Sequence, residues 1–416
     1  MNRLRQFWRY TNKVFDLTRS LRAVRAQRSD PGVPTPVITL SLFMGGLLRA
    51  GSFLQLQAHS ARRGWQHLLH WNKPISDDTL ARATERYDLE DLRAVLVSVN
   101  KTLKANKAFE SAKIGGLLVV AIDGNEQFSS RCRCCKSCCQ RTIKLKDRSG
   151  QTQNVTEYYH RQVYAQIHGP LFSVILDLEP VRPGEDEAKA ALRLLARMRR
   201  TYGPRFFDAL TLDAWYATAP FLKAVRCLGW SLVTVLKQER YEIYQEATAL
   251  SRDQPPQSWD WEQRQVKSWD VKDLPFGEAG PVRVVIAEES WKQNRYHGGN
   301  KTMVQEHRHW RWIADESLDG YPAQTIWQIG HQRWGVENHA FNELTQHYHL
   351  THCPHHHPLA IIVWLLFLAM SFNLFELFVR LNGKLWRQGR TTLQEIAQQL
   401  DRALEAPHQF QPLWSG

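Results

Sequence analysis

The stretch "GLLVVAIDGNEQFSS" (residues 116–130) begins as an uninterrupted apolar run and reaches its first charged residue at Asp123. A run without polar alternation is typical of a strand buried on both faces of a sheet. We therefore predict a buried strand that ends at Asp123. Such a strand is rigid, so its end would hold the carboxylate in the fixed geometry that a metal site requires.

A second segment repeats this pattern ninety residues later. In "FFDALTLDAWYA" the residues after Asp208 carry no charge until Asp213, and a helix and another strand are predicted after it. Sites in α/β sheets form where strands end, and Mg²⁺ prefers carboxylate oxygens. Asp123 and Asp213 therefore predict a shared site for Mg²⁺ or Mn²⁺. The alternative is that each aspartate only caps the turn or helix that follows its strand.

A helix predicted from about Ala323 to Tyr348 supplies a third acidic group. At 3.6 residues per turn, Arg333 and Glu337 lie beside Ile329 on the stripe that faces the core. Charged groups in that position need partners: a metal suits Glu337, and a phosphate suits the guanidinium of Arg333. The alternative is an ion pair between Arg333 and Glu337 within the helix.

The pattern of periodicity predicts a mixed α/β chain with a helical start and an interruption. Three strands, the last being "LFSVILDLEPV", are predicted before the helix "EDEAKAALRLLARMRRTYG". The segment from about Ser251 to Arg311 is rich in Trp, Gln and charge and contains strand-like pieces. The predicted domains are a helical N-terminal region (1–108), the first part of the α/β core (109–250), a β-rich insertion (251–311), the second part of the core (312–385) and a C-terminal helical tail (386–416).

The charge of the chain indicates an acidic polymer as partner. Its 54 Lys and Arg outnumber its 41 Asp and Glu, and the pI is about 9.5. The first thirty residues hold eight Lys or Arg and two Asp, so +6 of the net +13 lies there. Nucleic acid is the favoured partner. We expect Arg3, Arg5 and Arg9 to contact DNA, together with Lys301, which follows two glycines in the loop "NRYHGGNK".

One apolar segment approaches the length of a membrane span. It runs from Pro358 to Val379, but Ser371, Asn373 and Glu376 interrupt its second half. We predict a buried core helix and no membrane association. The basic N-terminus is not followed by the apolar region of a signal peptide. The expected location is therefore the cytoplasm.

Five of the seven cysteines lie in "CRCCKSCCQR". Neighbouring thiols make a poor disulfide framework, whereas the Cys135-x2-Cys138 spacing is half of a zinc site. His160 is one candidate for the remaining ligands, and the others lie in "THCPHHHP": His352, Cys353, His355, His356 and His357. A structural Zn²⁺ at Cys135 and Cys138 and a loop of reduced thiols are both open interpretations.

"AIDGNEQFSS", "LTLDAWYA" and "RWGVENHAFNEL" resemble the three catalytic blocks of the DDE transposases of bacterial insertion sequences, in the insertion-sequence-four-like group. The matching positions are Asp123, Asp213 and Glu337. The extended signature of that group, Tyr-x2-Arg-x3-Glu-x6-Lys, is half present, because Gly330 and Leu344 stand in place of Tyr and Lys.

The resemblance implies a ribonuclease-H-like core with a β-rich insertion before the glutamate. It implies an enzyme that cleaves transposon ends and joins the 3′-hydroxyl to target DNA by two-metal-ion phosphoryl transfer. The implied partners are the terminal inverted repeats and the target, both double-stranded DNA, and the implied assembly on DNA is a homodimer. Two alternatives stay open: a catalytically silent or domesticated DNA-binding protein on the same scaffold, and a zinc-stabilised protein that binds nucleic acid.

Overall fold

The structure is a computed structural model of the 416-residue chain. It describes residues 3–29, 31–146, 150–170, 172–297, 300–335, 340–382, 392–405 and 413. The chain divides into two compact units. The first comprises Met1–Ser111, Gly124–Ala190 and Val336–Gly416, and the second comprises Ala112–Asp123 and Ala191–Gly335.

The α-helices of the described residues are, in chain order, α1 (Arg3–Phe15), α2 (Leu17–Arg22), α3 (Thr35–Leu47), α4 (Phe53–Ser60), α5 (Arg63–Leu68), α6 (Asp77–Thr84), α7 (Leu89–Ala105), α8 (Glu187–Thr201), α9 (Ala219–Cys227), α10 (Glu242–Ser251), α11 (Ala323–Gly335), α12 (Asn342–His347), α13 (Pro358–Asn382) and α14 (Leu393–Ala403). The helices α1 to α7 confirm the predicted helical character of the N-terminal region. Its apolar residues recur at helical spacing, so each helix has a face to bury.

The strands are β1 (Lys113–Ile114), β2 (Leu117–Ser130), β3 (Cys139–Lys146), β4 (Thr152–His168), β5 (Ser173–Pro180), β6 (Ala209–Leu212), β7 (Ser231–Val235), β8 (Gln257–Trp261), β9 (Arg264–Pro275), β10 (Pro281–His297) and β11 (Asn300–Asp315). In the first unit β4 lies between β3 and β2 and also pairs antiparallel with β5. In the second unit the order is β2–β6–β7–β11–β10–β9–β8.

The strand pairing within each unit confirms the predicted ribonuclease-H-like fold class. In the first unit β4 pairs antiparallel with β5, and in the second unit the β2–β6 and β6–β7 pairs are parallel. Residues Leu118 to Ile122 of β2 are each at most 2% exposed, as expected for a strand covered on both faces.

The prediction that this strand ends at Asp123 is wrong, because β2 continues to Ser130. What ends at Asp123 is the continuous burial: Gly124, Asn125 and Glu126 are half-buried. Backbone pairing in a sheet does not require apolar side chains, so the strand persists where its apolar run stops.

The prediction of three strands before α8 also missed β3. This strand forms an antiparallel pair with β4, from Cys139 opposite Tyr159 to Lys146 opposite Thr152. Most of its side chains are exposed or half-buried. An outer strand of this kind carries no apolar signal in the sequence.

The helix predicted from Ala323 to Tyr348 is represented by two helices, α11 and α12. Residues 336–339, and with them Glu337, lie outside the described residues. The burial of Ile326, Ile329 and Arg333 confirms which face of α11 meets the core.

The β-rich character predicted for 251–311 is confirmed by β8, β9, β10 and most of β11. These strands extend the core sheet of the second unit, because β11 crosses position 311 and pairs with β7 at Trp312 to Ala314. The domain boundaries themselves remain a prediction.

The apolar segment that begins at Pro358 forms α13. Its residues Pro358–Arg380 have a mean hydropathy of 2.2, and 83% of the most apolar window is buried inside the protein. This burial confirms the predicted core helix.

Candidate functional site

Asp123 and Asp213 lie on neighbouring parallel strands of the second unit. The register pairs Val119 with Ala209 and Ala121 with Thr211, a constant offset of ninety residues. The same offset sets Asp123 beside Asp213, just beyond the last residue of β6. Adjacent strands are about 4.8 Å apart, so the structure places these two predicted residues at the same level along neighbouring strands.

The position of Asp213 is fixed by its own turn. Its carboxylate Oδ1 accepts a hydrogen bond of 2.8 Å from the backbone N–H of Trp215 and so caps the 3-10 helix Ala214–Tyr216. The hydroxyl of Thr234, on β7, donates to the backbone carbonyl of Asp213 at 2.6 Å. Asp213 therefore does cap the turn that follows its strand, as the alternative interpretation predicted. The capping hydrogen bond also orients the carboxylate. Thr234 is a positioning residue that the sequence reading missed, because a threonine inside an apolar strand carries no distinguishing signal.

Arg333 reaches this site from α11. Its guanidinium N–H lies 3.2 Å from Oδ2 of Asp123, and the two side chains are 7% and 11% exposed. The structure therefore places Arg333 beside a predicted metal ligand and not at the surface. Its interaction with Glu337 lies outside the described residues.

α11 approaches the sheet closely enough to place Arg333 because Gly330 has no side chain. A Cβ atom at position 330 would lie 2.1 Å from Nε1 of the Trp312 indole, a distance that real structures do not tolerate. Gly330 stands where the extended signature has tyrosine, and in this chain Trp312 from β11 fills the space beside it.

The site fits a hard divalent cation. Two carboxylates side by side at one edge supply the oxygen ligands that Mg²⁺ and Mn²⁺ prefer. Their mutual repulsion is reduced here by the guanidinium of Arg333. Asp123 and Asp213 would hold the cation, with Glu337 as the predicted third ligand.

A second cluster lies in the first unit. Cys135, Cys138, His160 and His356 place their ligand atoms within 4.8 Å of one another. Burial lowers the pKa of His160 to about 4, with a smaller effect from the neighbouring His356 ring. Burial also raises the pKa of Cys138 to about 11. The structure thus selects two of the histidines considered with the Cys135-x2-Cys138 pair.

The other candidates for this cluster have different surroundings. His355 Nε2 lies 2.6 Å from a carboxylate oxygen of Glu85. Cys353 is buried, and burial raises its pKa to about 12. Cys132 and Cys134 are exposed.

The predicted DNA-contacting residues occupy two separate elements. Arg3, Arg5 and Arg9 lie on α1, with Arg5 and Arg9 exposed and Arg3 half-buried. Lys301 is exposed on β11. The segment that holds the three arginines is a helix with Leu4 and Phe7 fully buried, not a free arm.

The family described as "Transposase DDE domain" matches residues 149–374, more than half of the chain. The match includes Asp213, Arg333 and the position of Glu337, and it begins after Asp123. No curated protein sequence matches the chain. Among solved structures, the chain is similar to a piggyBac transposase in a cryo-EM structure of its synaptic complex with hairpin DNA. The identity is 12%, the TM-score is 0.40, and the similarity covers 97% of this chain and 79% of that chain.

Proposed function

Because this chain belongs to the family of proteins with a transposase DDE domain, we propose that it cleaves the ends of a transposon and joins the freed 3′-hydroxyl to target DNA. The observation that supports the proposal is the offset of ninety residues between β2 and β6, because Asp123 and Asp213 each follow the last printed pair, Ala121 with Thr211, by two residues. Two carboxylates held on adjacent strands are the arrangement that metal-dependent phosphoryl transfer needs.

In the proposed mechanism Asp123, Asp213 and Glu337 hold Mg²⁺ or Mn²⁺. When bound, these cations activate the attacking hydroxyl and stabilise the leaving oxygen. The side chains must present their carboxylates without rearrangement, and for Asp213 the bonds from Trp215 and Thr234 serve this purpose. The thiols of Cys135 and Cys138 are softer ligands and suit Zn²⁺ better than these hard cations.

Arg333 has two roles in this proposal. Without DNA it neutralises Asp123, so the paired carboxylates repel each other less. With DNA present its planar guanidinium can donate two hydrogen bonds to a phosphate. If Arg333 exchanged its Asp123 partner for a DNA phosphate, the backbone of the DNA would lie beside Asp123.

The proposed partners are the transposon ends and the target DNA, both double-stranded, and the proposed assembly on DNA is a homodimer. The net charge of +13 supports binding to a polyanion. Arg5, Arg9 and Lys301 are exposed cations that suit contacts with phosphate.

The test uses Asp123→Asn and Asp213→Asn, with Asp208→Asn as the matched control. The Asp208 carboxylate precedes β6 and accepts a hydrogen bond of 2.7 Å from the Leu118 N–H, which an asparagine oxygen can also accept. Cleavage of a duplex made from the DNA that flanks the gene, with Mg²⁺ and a supercoiled target, should fall at least about 100-fold in the first two variants. The control should cleave normally.

A readout that does not depend on cleavage is the binding of Mn²⁺, followed by electron paramagnetic resonance. Asp123→Asn and Asp213→Asn should weaken the binding, while Asp208→Asn should not. If the two variants bind Mn²⁺ and cleave DNA like the wild type, the site assignment is wrong.

The ion pair between Arg333 and Asp123 favours a second candidate, a catalytically silent DNA-binding protein on the same scaffold. A guanidinium that permanently holds Asp123 would compete with the cation. This candidate predicts that the wild type binds DNA without cleaving it in Mg²⁺ or Mn²⁺, and that Asp213→Asn changes neither property.

A further inference from the structure

We propose that Cys135, Cys138, His160 and His356 form a structural site for one Zn²⁺ that joins three separate segments of the first unit. The ligands come from the turn before β3, from β4 and from the loop before α13. This site is distinct from the carboxylates of Asp123 and Asp213, and it does not depend on the proposed activity.

Five of the six distances between ligand atoms in the cluster are close to those of a tetrahedral site, and the sixth, from Cys135 Sγ to His356, is within 4.8 Å. With Zn–S bonds of about 2.3 Å and Zn–N bonds of about 2.0–2.1 Å, tetrahedral ligands lie about 3.8 Å (S to S), 3.5 Å (S to N) and 3.3 Å (N to N) apart. The observed Sγ–Sγ distance between Cys135 and Cys138 is 3.7 Å. His160 Nε2 lies 3.5 Å from Cys135 Sγ and 3.3 Å from Cys138 Sγ.

His356 completes the same geometry. Its Nε2 atom lies 3.3 Å from Cys138 Sγ and 3.1 Å from His160 Nε2. Two imidazole nitrogens that face each other and two sulfur atoms share one small volume. A single cation at the centre explains why the four groups converge.

The cysteine turn is formed as a metal-binding turn. The Cys138 N–H donates to the Cys135 carbonyl at 3.1 Å, which closes the turn. The Cys135 N–H points at Cys138 Sγ at 3.2 Å. A backbone donor aimed at the sulfur stabilises a thiolate, which is the form that binds metal. The Sγ–Sγ distance of 3.7 Å is far from the roughly 2.05 Å of a disulfide.

The two histidines are held by the fold. His160 is 5% exposed on β4, one residue beyond the Tyr159–Cys139 pair. His356 packs against the ring of Phe128 at 5.0 Å between centroids. Its neighbour His355 is anchored to Glu85 at 2.6 Å.

The composition of the site indicates a structural role and Zn²⁺ as the metal. Two thiolates and two imidazoles fill four tetrahedral positions with protein atoms, so no position remains for water or substrate. Hard cations such as Mg²⁺ disfavour sulfur ligands. His160 and His356 are 196 residues apart along the chain. Joining such distant segments restricts the unfolded chain and so favours the folded one.

The first experiment measures metal in the full-length protein purified without chelator. Wild-type protein should contain about one Zn²⁺ per chain. Cys138→Ser and His356→Ala should lose most of it. The matched control is the double variant Cys132→Ser/Cys134→Ser, which removes two exposed thiols from the same loop and should keep the zinc. Wild-type protein without zinc, or a control that loses it as fully as Cys138→Ser, would overturn the proposal.

The second experiment needs no variant to fold. Wild-type protein is exchanged with Co²⁺, whose absorption spectrum reports geometry and sulfur ligation. Intense visible bands of tetrahedral Co²⁺ together with a near-ultraviolet thiolate charge-transfer band are expected. The weak spectrum of octahedral Co²⁺ without that band would contradict the site. Because neither experiment measures DNA cleavage, their outcome is separate from that of the transposase proposal.

Discussion

At the scale of single residues, Gly330 shows how a side chain can be excluded by its neighbour. The indole of Trp312 is 1% exposed and fixed between the sheet and α11, so it cannot move away from an added methyl group. Alanine favours a helix interior over glycine by about 1 kcal/mol, but overpacking costs about 1–3 kcal/mol and sometimes more. Because the added Cβ would lie 2.1 Å from the indole, we expect the cost of overpacking to exceed the gain in helix propensity.

We predict that Gly330→Ala lowers the free energy of unfolding by about 1–2 kcal/mol net. Thermal denaturation measures the change, with Gly320→Ala as control because a Cβ there meets no atom within 4 Å. In a Trp312→Leu background the same substitution should be neutral or stabilising. If Gly330→Ala leaves the Tm unchanged both in the wild type and in the Trp312→Leu background, this packing argument is wrong.

Glu289 is a second residue whose surroundings define its behaviour. Its side chain is fully buried on β10 and accepts hydrogen bonds from His331 at 2.5 Å, Trp327 at 2.9 Å and Arg264 at 2.7 Å. Burial alone would raise the pKa of Glu289, but the bond and charge of His331, aided by the other two donors, outweigh it and lower the pKa below the usual 4.5. The carboxylate is therefore ionised in the folded protein and satisfied by three donors.

A lowered pKa has a definite consequence for stability. Below about pH 4.5 the unfolded state takes up the proton of Glu289 before the folded state does, so this contribution to stability is lost as the pH falls. The difference in Tm between the wild type and Glu289→Gln should be constant near neutral pH and shrink below about pH 4.5. Glu288→Gln, which changes a half-exposed carboxylate on the same strand, should show little pH-dependent difference. A Glu289→Gln difference that does not shrink at all below about pH 4.5 would refute the assignment.

At the scale of elements, α13 shows why polar residues interrupt an apolar helix. Asn373 accepts a hydrogen bond of 2.8 Å from the Ile175 N–H and donates one of 2.7 Å to the Ile175 carbonyl. The Ser371 hydroxyl donates to the Phe43 carbonyl at 2.9 Å. These groups satisfy backbone atoms of β5 and α3 inside the core, where an unpaired polar group costs about 1–3 kcal/mol. The residues that distinguish this helix from a membrane span thus have a packing function.

The helix α1 combines a buried face with a basic one. Phe7 packs edge-on against Phe378 of α13 at 5.3 Å, while Arg5 and Arg9 face outward one turn apart. Removal of the whole segment would therefore uncover the core as well as remove charge. Substitution of the outward arginines separates the two effects.

We predict that Arg5→Gln/Arg9→Gln weakens DNA binding while it leaves the buried face of α1 unchanged. Each lost phosphate contact reduces the magnitude of the slope of log K against log salt concentration by about 0.9. The slope of the double variant should therefore be smaller by up to about 1.8. Arg82→Gln is the control, because it removes an exposed arginine of α6 and not of α1. Equal slopes for the double variant and the wild type would show that α1 does not contact phosphate.

At the scale of the whole molecule, neither compact unit is a continuous piece of chain. The first takes its residues from three segments and the second from two. The strand β2 and the helix α8 each contribute residues to both units, because the divisions fall after Asp123 and after Ala190. A reading along the chain assigns boundaries to successive segments, so it cannot identify units that are assembled from separated ones.

The sequence by itself determined the local features of this protein. The apolar runs before Asp123 and Asp213, the core-facing stripe with Arg333 and the Cys135-x2-Cys138 spacing are all patterns of a few neighbouring residues. Burial and backbone periodicity leave their signal within such windows. The candidate carboxylates followed from them, whereas the ribonuclease-H-like class was implied by the resemblance of three short blocks to DDE transposases.

Only the tertiary structure decided which of these features meet. It set the offset of ninety residues that aligns Asp123 with Asp213, and it gave Arg333 an aspartate partner 210 residues away. It selected His160 and His356 from six candidates, and it made Gly330 necessary through Trp312. Contacts between residues that are far apart in the chain depend on how whole helices and strands pack. The residues next to each partner in the sequence therefore do not predict them.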